Sequence, residues 1–151
     1  LSNTEFDDRF KQLTGHEPLR WQKRLYERFL SPKGLPAALD LPTGLGKTSV
    51  MTIWYLAWKA SASLPRRLVY LPRRLVYVVD RRAVVDQATA VAEQIKIQSG
   101  DATLRVSTLR GQFVDNRAWL EDPAAPAIIV GTVDMIGSRL LFEGYGVSRR
   151  M

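Results

Sequence analysis

Residues 40–50 read DLPTGLGKTSV, and few folds can accommodate that stretch. It stands between an apolar run, LPAALDL, and a helix-periodic one that continues to about Ala60. Gly44 and Gly46 let the backbone turn through dihedrals that a side chain would oppose. The turn leads straight into the helix, so the N–H groups of residues 44–48 point inward at its first turn. An anion held there gains roughly 0.3–1 kcal/mol from the helix dipole, more if partly buried. Lys47 can reach the β- and γ-phosphates of a nucleotide, and the Thr48 hydroxyl can ligate Mg²⁺. The candidate nucleotide contacts are Thr43, Gly44, Leu45, Gly46, Lys47, Thr48 and Ser49, with Lys47 and Thr48 the candidate catalytic pair. The bland alternative is a chance glycine turn before a helix. Strand, G-x-G-K-T and helix in register weigh strongly against it.

The rest of the chain alternates as a parallel sheet requires. RWQKRLYERFL puts Trp21, Leu25 and Phe29, with Tyr26 and Leu30, on one helical stripe. Residues 37–41 read as a short strand, and Lys47 to about Ala60 as a helix. LVYVV, residues 75–79, is apolar throughout, as expected of a strand with both sheet faces covered. Val84, Ala88, Val91 and Ile95 mark the next helix. LRVSTL is a weaker strand and AIIVGT, residues 127–132, a strong one. Asp134 then caps a last helix to about Phe142. Such alternation predicts an α/β fold, a parallel sheet flanked by helices. Residues 1–34 form an N-terminal helical segment and 35–151 the sheet domain.

LPRRLVY occurs twice in succession, over residues 64–70 and 71–77. The second copy runs directly into VVDRRAVVDQ and is expected to carry the strand. The first is expected to loop out, because Pro72 would remove a ladder hydrogen bond from a central strand. The net charge of +7 suggests a polyanionic partner, although one heptad copy supplies two of its arginines and without it the value would be +5. Cysteine is absent, which excludes disulfides, zinc–thiolate sites and iron–sulfur clusters. No apolar run approaches the roughly 18 residues of a membrane span, and a cytoplasmic location is expected. His16, beside Gly15 near a helix start, reads as a capping or packing residue.

The loop departs from the general pattern G-x-x-x-x-G-K-[ST] at one place: its first glycine slot holds Leu41. The form x-P-T-G-x-G-K-T resembles motif I of superfamily-2 helicases and translocases. Other stretches then fit in order. PLRWQKRLY resembles the segment in which a glutamine reads the adenine edge, with Gln22 at that position. VYVVDRRAVVDQA resembles motif Ia, with Arg81 and Arg82 at its nucleic-acid loop and Gln87 on the helix after it. STLRGQF resembles the glycine motif, with Gly111, and IIVGTVDMI resembles motif Ib, with Thr132. LTGHEPLRWQKRLYERF, DLPTGLGKTSVMTIW, RRLVYVVDRRAVVDQA and IIVGTVDMIGSRLLFEGYGVSRRM together resemble the front of the CRISPR-associated helicase-nuclease of type I systems, I-U/I-G branch.

The resemblance implies an incomplete P-loop (RecA-like) sheet that uses ATP and Mg²⁺. Single-stranded DNA would lie along a rim of Arg81, Arg82, Gly111 and Thr132. It also implies a translocase that unwinds target DNA after a CRISPR surveillance complex has opened it. In that family an Asp-Glu motif II and a second RecA-like domain would follow Met151. The chain is therefore expected to bind nucleotide weakly without hydrolysing it, and to be marginally stable because strand 37–41 lacks partners. Three other readings stand beside this one. Asp80 after LVYVV could be the Mg²⁺-linked acid of a small P-loop kinase, though Arg81 and Arg82 follow it. The chain could be a basic nucleic-acid-binding module with a structural P-loop. It could also serve a restriction or repair translocase.

Overall fold

A computed structural model describes residues 3–31, 47–62, 71–79, 81–110, 113–114 and 125–132. The chain divides into two compact units: Leu1–Arg73 with Gln94–Asp101, and Arg74–Glu93 with Ala102–Met151.

The secondary structure described in the first unit is helical. Helix α1 (Asn3–Thr14) buries Phe6, Phe10 and Leu13, an i, i+4, i+7 stripe. It ends at Gly15, whose φ of +81° suits a residue without Cβ; the Gly15 N–H donates to the Lys11 carbonyl at 2.7 Å. Gly15 and His16 thus stand at the end of α1, shortly before the Leu19 N-cap that starts α2. His16 is exposed, and its backbone N–H donates to Thr14 Oγ1 at 3.2 Å, so its contribution to the cap is main-chain and packing plays no part.

Helix α2 (Arg20–Phe29) buries Gln22, Leu25, Tyr26 and Phe29. The expected stripe is therefore rotated. Trp21 and Leu30 are half-buried, and the polar Gln22 takes the position a turn before Tyr26. A 3₁₀ turn at Lys47–Ser49 leads into α3 (Val50–Ser61), as expected for a helix beginning at Lys47. Seven consecutive residues of α3, Met51 to Ala57, are buried, so it is apolar all round and packs against both α1 and α2. Trp54 Nε1 donates to the Pro72 carbonyl at 3.2 Å and Leu71 is buried, anchoring the front of the second heptad copy. The first copy lies outside the described residues.

Tyr26 stacks on Phe6, with ring centroids 4.2 Å apart, and its buried hydroxyl has no hydrogen-bond partner among the described residues. Burial, with Glu5 adding to it, pushes its pKa up to about 12 from 10.0. A phenol whose folded pKa is raised contributes stability that is complete below the unfolded value, and that is lost as pH rises through the folded one. The chain is accordingly expected to lose stability between pH 10 and about 12. Tyr26→Phe removes an unpaired polar atom and should stabilise by roughly 1 kcal/mol. A melting temperature a few degrees above wild type, with the alkaline loss reduced, is the expected result; a lower one would show that the hydroxyl has a partner.

The second unit holds a four-stranded sheet of order β1-β4-β2-β3, where β1 is Arg74–Val79, β2 Arg105–Arg110, β3 Phe113–Val114 and β4 Ala127–Thr132. Strands β1, β4 and β2 are parallel, and the short β3 pairs antiparallel with β2. The architecture is α/β, the RecA-like P-loop class. Strand β4 is central and buried from Ala127 to Gly131, in keeping with its continuous apolar run.

The expectation for β1 was that both faces would be covered, and that is corrected. Val76 and Val78 are 38% and 48% exposed while Leu75 and Tyr77 are half-buried. Strand β1 pairs with β4 alone among the described strands, and one of its faces is open. Helix α4 (Arg82–Ser99) buries Val85, Ala88, Ala92 and Ile95; Val84 and Val91, expected on that stripe, are half-buried beside it. Thr89 Oγ1 and Thr108 Oγ1, 3.0 Å apart, tie α4 to β2. The strand expected at 37–41, the Asp80 position and the helix expected after Asp134 lie outside the described residues. No helix among the described residues is long and apolar enough to cross a membrane.

Candidate nucleotide site and sheet rim

The start of α2 lacks a side-chain cap, because its N-cap residue is Leu19. Gln22 supplies the interaction from three residues on. Its Oε1 accepts the Leu19 backbone N–H at 2.6 Å, the half of a capping box that a glutamine at N3 can provide. That bond turns the amide end of the side chain inward, where Nε2 donates to Ser49 Oγ at 2.7 Å. Gln22 is only 5% exposed. Two candidates separated by 27 residues in sequence are therefore in direct contact, within one compact unit.

The carboxamide retains capacity. Oε1 has a second lone pair and Nε2 a second hydrogen. One acceptor and one donor are what the N6 and N7 edge of adenine requires. Thr48 and Ser49 are half-buried in the 3₁₀ turn that Lys47 opens. Mg²⁺ keeps several waters and takes few protein oxygens beside those of phosphate, so one hydroxyl, that of Thr48, fits it as a protein ligand. Thr43, Gly44, Leu45 and Gly46 lie outside the described residues.

In the second unit the parallel register aligns strand ends. Val79 of β1 pairs with Thr132 of β4, and Leu109 of β2 with Gly131. Thr132 is thus the last residue of β4, half-buried, beside the end of β1. Arg81 lies two residues beyond β1 and is exposed, while its carbonyl accepts the N–H groups of Val84 and Val85 at 3.1 and 3.3 Å. Arg82 is the first residue of α4. Gly111 directly follows β2 and lies outside the described residues. Of the rim positions, Arg81, Arg82 and Thr132 sit at or just beyond the carboxyl ends of the neighbouring parallel strands β1 and β4, where open α/β sheets bind ligands.

Sequence reasoning chose Gln22 and Ser49 separately and missed their pairing, since no local pattern connects residues so far apart. The tie to Leu19 was legible, because a glutamine three residues after a helix start signals a capping interaction. The family model described as type III restriction enzyme, res subunit, matches residues 15–146. No curated protein and no solved structure matches the chain.

Proposed function

The chain belongs to the type III restriction enzyme, res subunit family, and from that premise we propose that it holds Mg-ATP for a superfamily-2 motor acting on single-stranded DNA. The coarse assignment, an ATP-binding helicase-type module, follows from membership. The observation that carries the finer reading is the bond from Gln22 Nε2 to Ser49 Oγ. It sets a partly unspent carboxamide beside the residue after Thr48. In this reading Gln22 reads adenine, Lys47 with the N–H groups of residues 43–49 holds the triphosphate, and Thr48 contributes a ligand to Mg²⁺. Arg81, Arg82, Gly111 and Thr132 hold backbone phosphates without reading bases.

Within this reading, the four blocks of resemblance favour a type I CRISPR helicase serving antiviral defence in the cytoplasm with a surveillance complex. The family's description favours a restriction translocase. The two share the ATP site and the rim.

Gln22→Glu tests the adenine reading. The carboxylate still accepts from the Leu19 N–H, so the start of α2 should hold. It can no longer donate to N7. A bidentate amide–adenine pair discriminates by about 1–3 kcal/mol, or roughly 5- to 150-fold. Calorimetry is expected to show ATP bound at least about fivefold more weakly by the variant, which keeps only the bond from N6 and sets a carboxylate oxygen against N7. Equal ATP affinity in both would remove Gln22 from the base site.

A further inference from the structure

The outward face of α2 carries arginines at 20, 24 and 28, all exposed. Helical rise separates successive members by about 6 Å, so the row spans about 12 Å. Arginines four residues apart on a helix repel one another. The neighbouring helix shows the alternative: α1 places Glu5 and Arg9 at that spacing, joined at 3.0 Å, and Lys11 pairs with Glu17 at 3.2 Å. On α2 itself, the half-buried Lys23 is engaged by Asp7 at 3.1 Å. Arg20 and Arg24 have no ion-pair partner among the described residues. One acid, the exposed Glu27, shares their face.

We infer that this arginine row is a second contact for the nucleic-acid backbone, apart from the sheet rim; the inference rests on the reading of the chain as a motor on DNA. At 3.4 Å of axis per nucleotide, a 12 Å row passes about three to four phosphates of one strand. A nucleic-acid interface is polar and strongly positive, whereas the core of a protein interface is depleted of charge. Three arginines around one glutamate match the former. The opposite face of the same helix holds Gln22 against Ser49, so a strand seated on the row lies on the helix that borders the nucleotide site.

The test is the salt dependence of oligo-dT binding to the whole 151-residue chain, in wild type and in R20A/R24A/R28A. Each neutralised phosphate contributes about 0.7 to the slope on a single strand, so the variant should lose about 2. Wild type should then lose about 20-fold more affinity than the variant between roughly 50 and 200 mM salt. Glu27→Gln should act oppositely and tighten binding. An unchanged slope in the triple variant overturns the row, as does a loss confined to polyglutamate, which would mark an acidic protein as the partner. Arg81→Ala separates the two readings: if it weakens DNA binding while the triple variant does not, the rim survives and the row fails. If the wild type binds no oligo-dT, both fail.

Discussion

Lys47→Ala is expected to lower Mg²⁺-dependent ATP affinity by about 100-fold while leaving DNA affinity as it was. A hydrogen bond between a cation and a phosphate contributes about 1.5–3 kcal/mol, and each 1.4 kcal/mol is a factor of ten. Lys47 opens the turn that carries Thr48 and Ser49, so its loss leaves phosphate charge uncompensated at the helix start. Alanine suits a helix end, and α3 is held by its own buried face, so the fold should survive. Titration calorimetry with ATP, with and without magnesium, measures the effect. An affinity within threefold of wild type would make the glycine loop a structural turn and return the chain to the class of basic binding modules. The DNA measurement serves as the internal control, since Lys47 belongs neither to the rim nor to the arginine row.

The second large effect concerns stability. Asp101 follows the end of α4, and its carboxylate side chain is only 8% exposed. Oδ2 accepts from Tyr55 Oη at 2.7 Å and pairs with Lys59 Nζ at 3.1 Å, so one carboxylate holds two positions of α3. Burial, and then the bond to Asp101, hold the Tyr55 phenol well above its ordinary value. Asp101→Ala takes away the acceptor of that buried hydroxyl, a cost of about 1–3 kcal/mol. Loss of the pair with Lys59 adds less, because the lysine side chain is 42% exposed and solvent screens it. A fall of roughly 5–10 °C in melting temperature is expected for a chain of this size. Asp101→Asn keeps an acceptor and should recover more than half of it. Adding Tyr55→Phe to Asp101→Ala should also restore part of the loss, because the hydroxyl that lost its acceptor goes with it. Additive losses in the double variant would mean that Tyr55 and Asp101 are not coupled.

Legibility of the fold varied with how local the signal was. The strand at residues 127–132 and the helix after Lys47 were readable because an unbroken apolar run and a glycine turn are properties of neighbouring residues. Helix α4 was readable as a helix, and Ala88 and Ile95 of its expected stripe are buried, yet Val84 and Val91 stand beside the residues that face the core. Val84 and Val85, like Val91 and Ala92, are adjacent apolar residues, and periodicity cannot choose which of two neighbours faces the core. The same ambiguity rotated α2, where Gln22 takes a buried place that hydropathy would assign to Trp21. A polar residue enters such a stripe when its bonds are satisfied there, and the bonds of Gln22 to Leu19 and Ser49 do so. Helix α1 escaped a separate reading, although Phe6, Phe10 and Leu13 have the spacing that would have identified it.

From sequence alone came the α/β class and the alternation of helices and strands from Lys47 to Thr132, because motif spacing and apolar periodicity are written along the chain. Tertiary structure decided two further matters. Gln22 meets Ser49, and β1 has an open face while β4 is covered on both. Both outcomes depend on which distant segments lie side by side. LVYVV and AIIVGT are alike in hydropathy, and a strand's exposure follows from its place in the sheet as much as from its residues. A hydrogen bond across 27 residues likewise exists only once helix packing has brought its two ends within 2.7 Å.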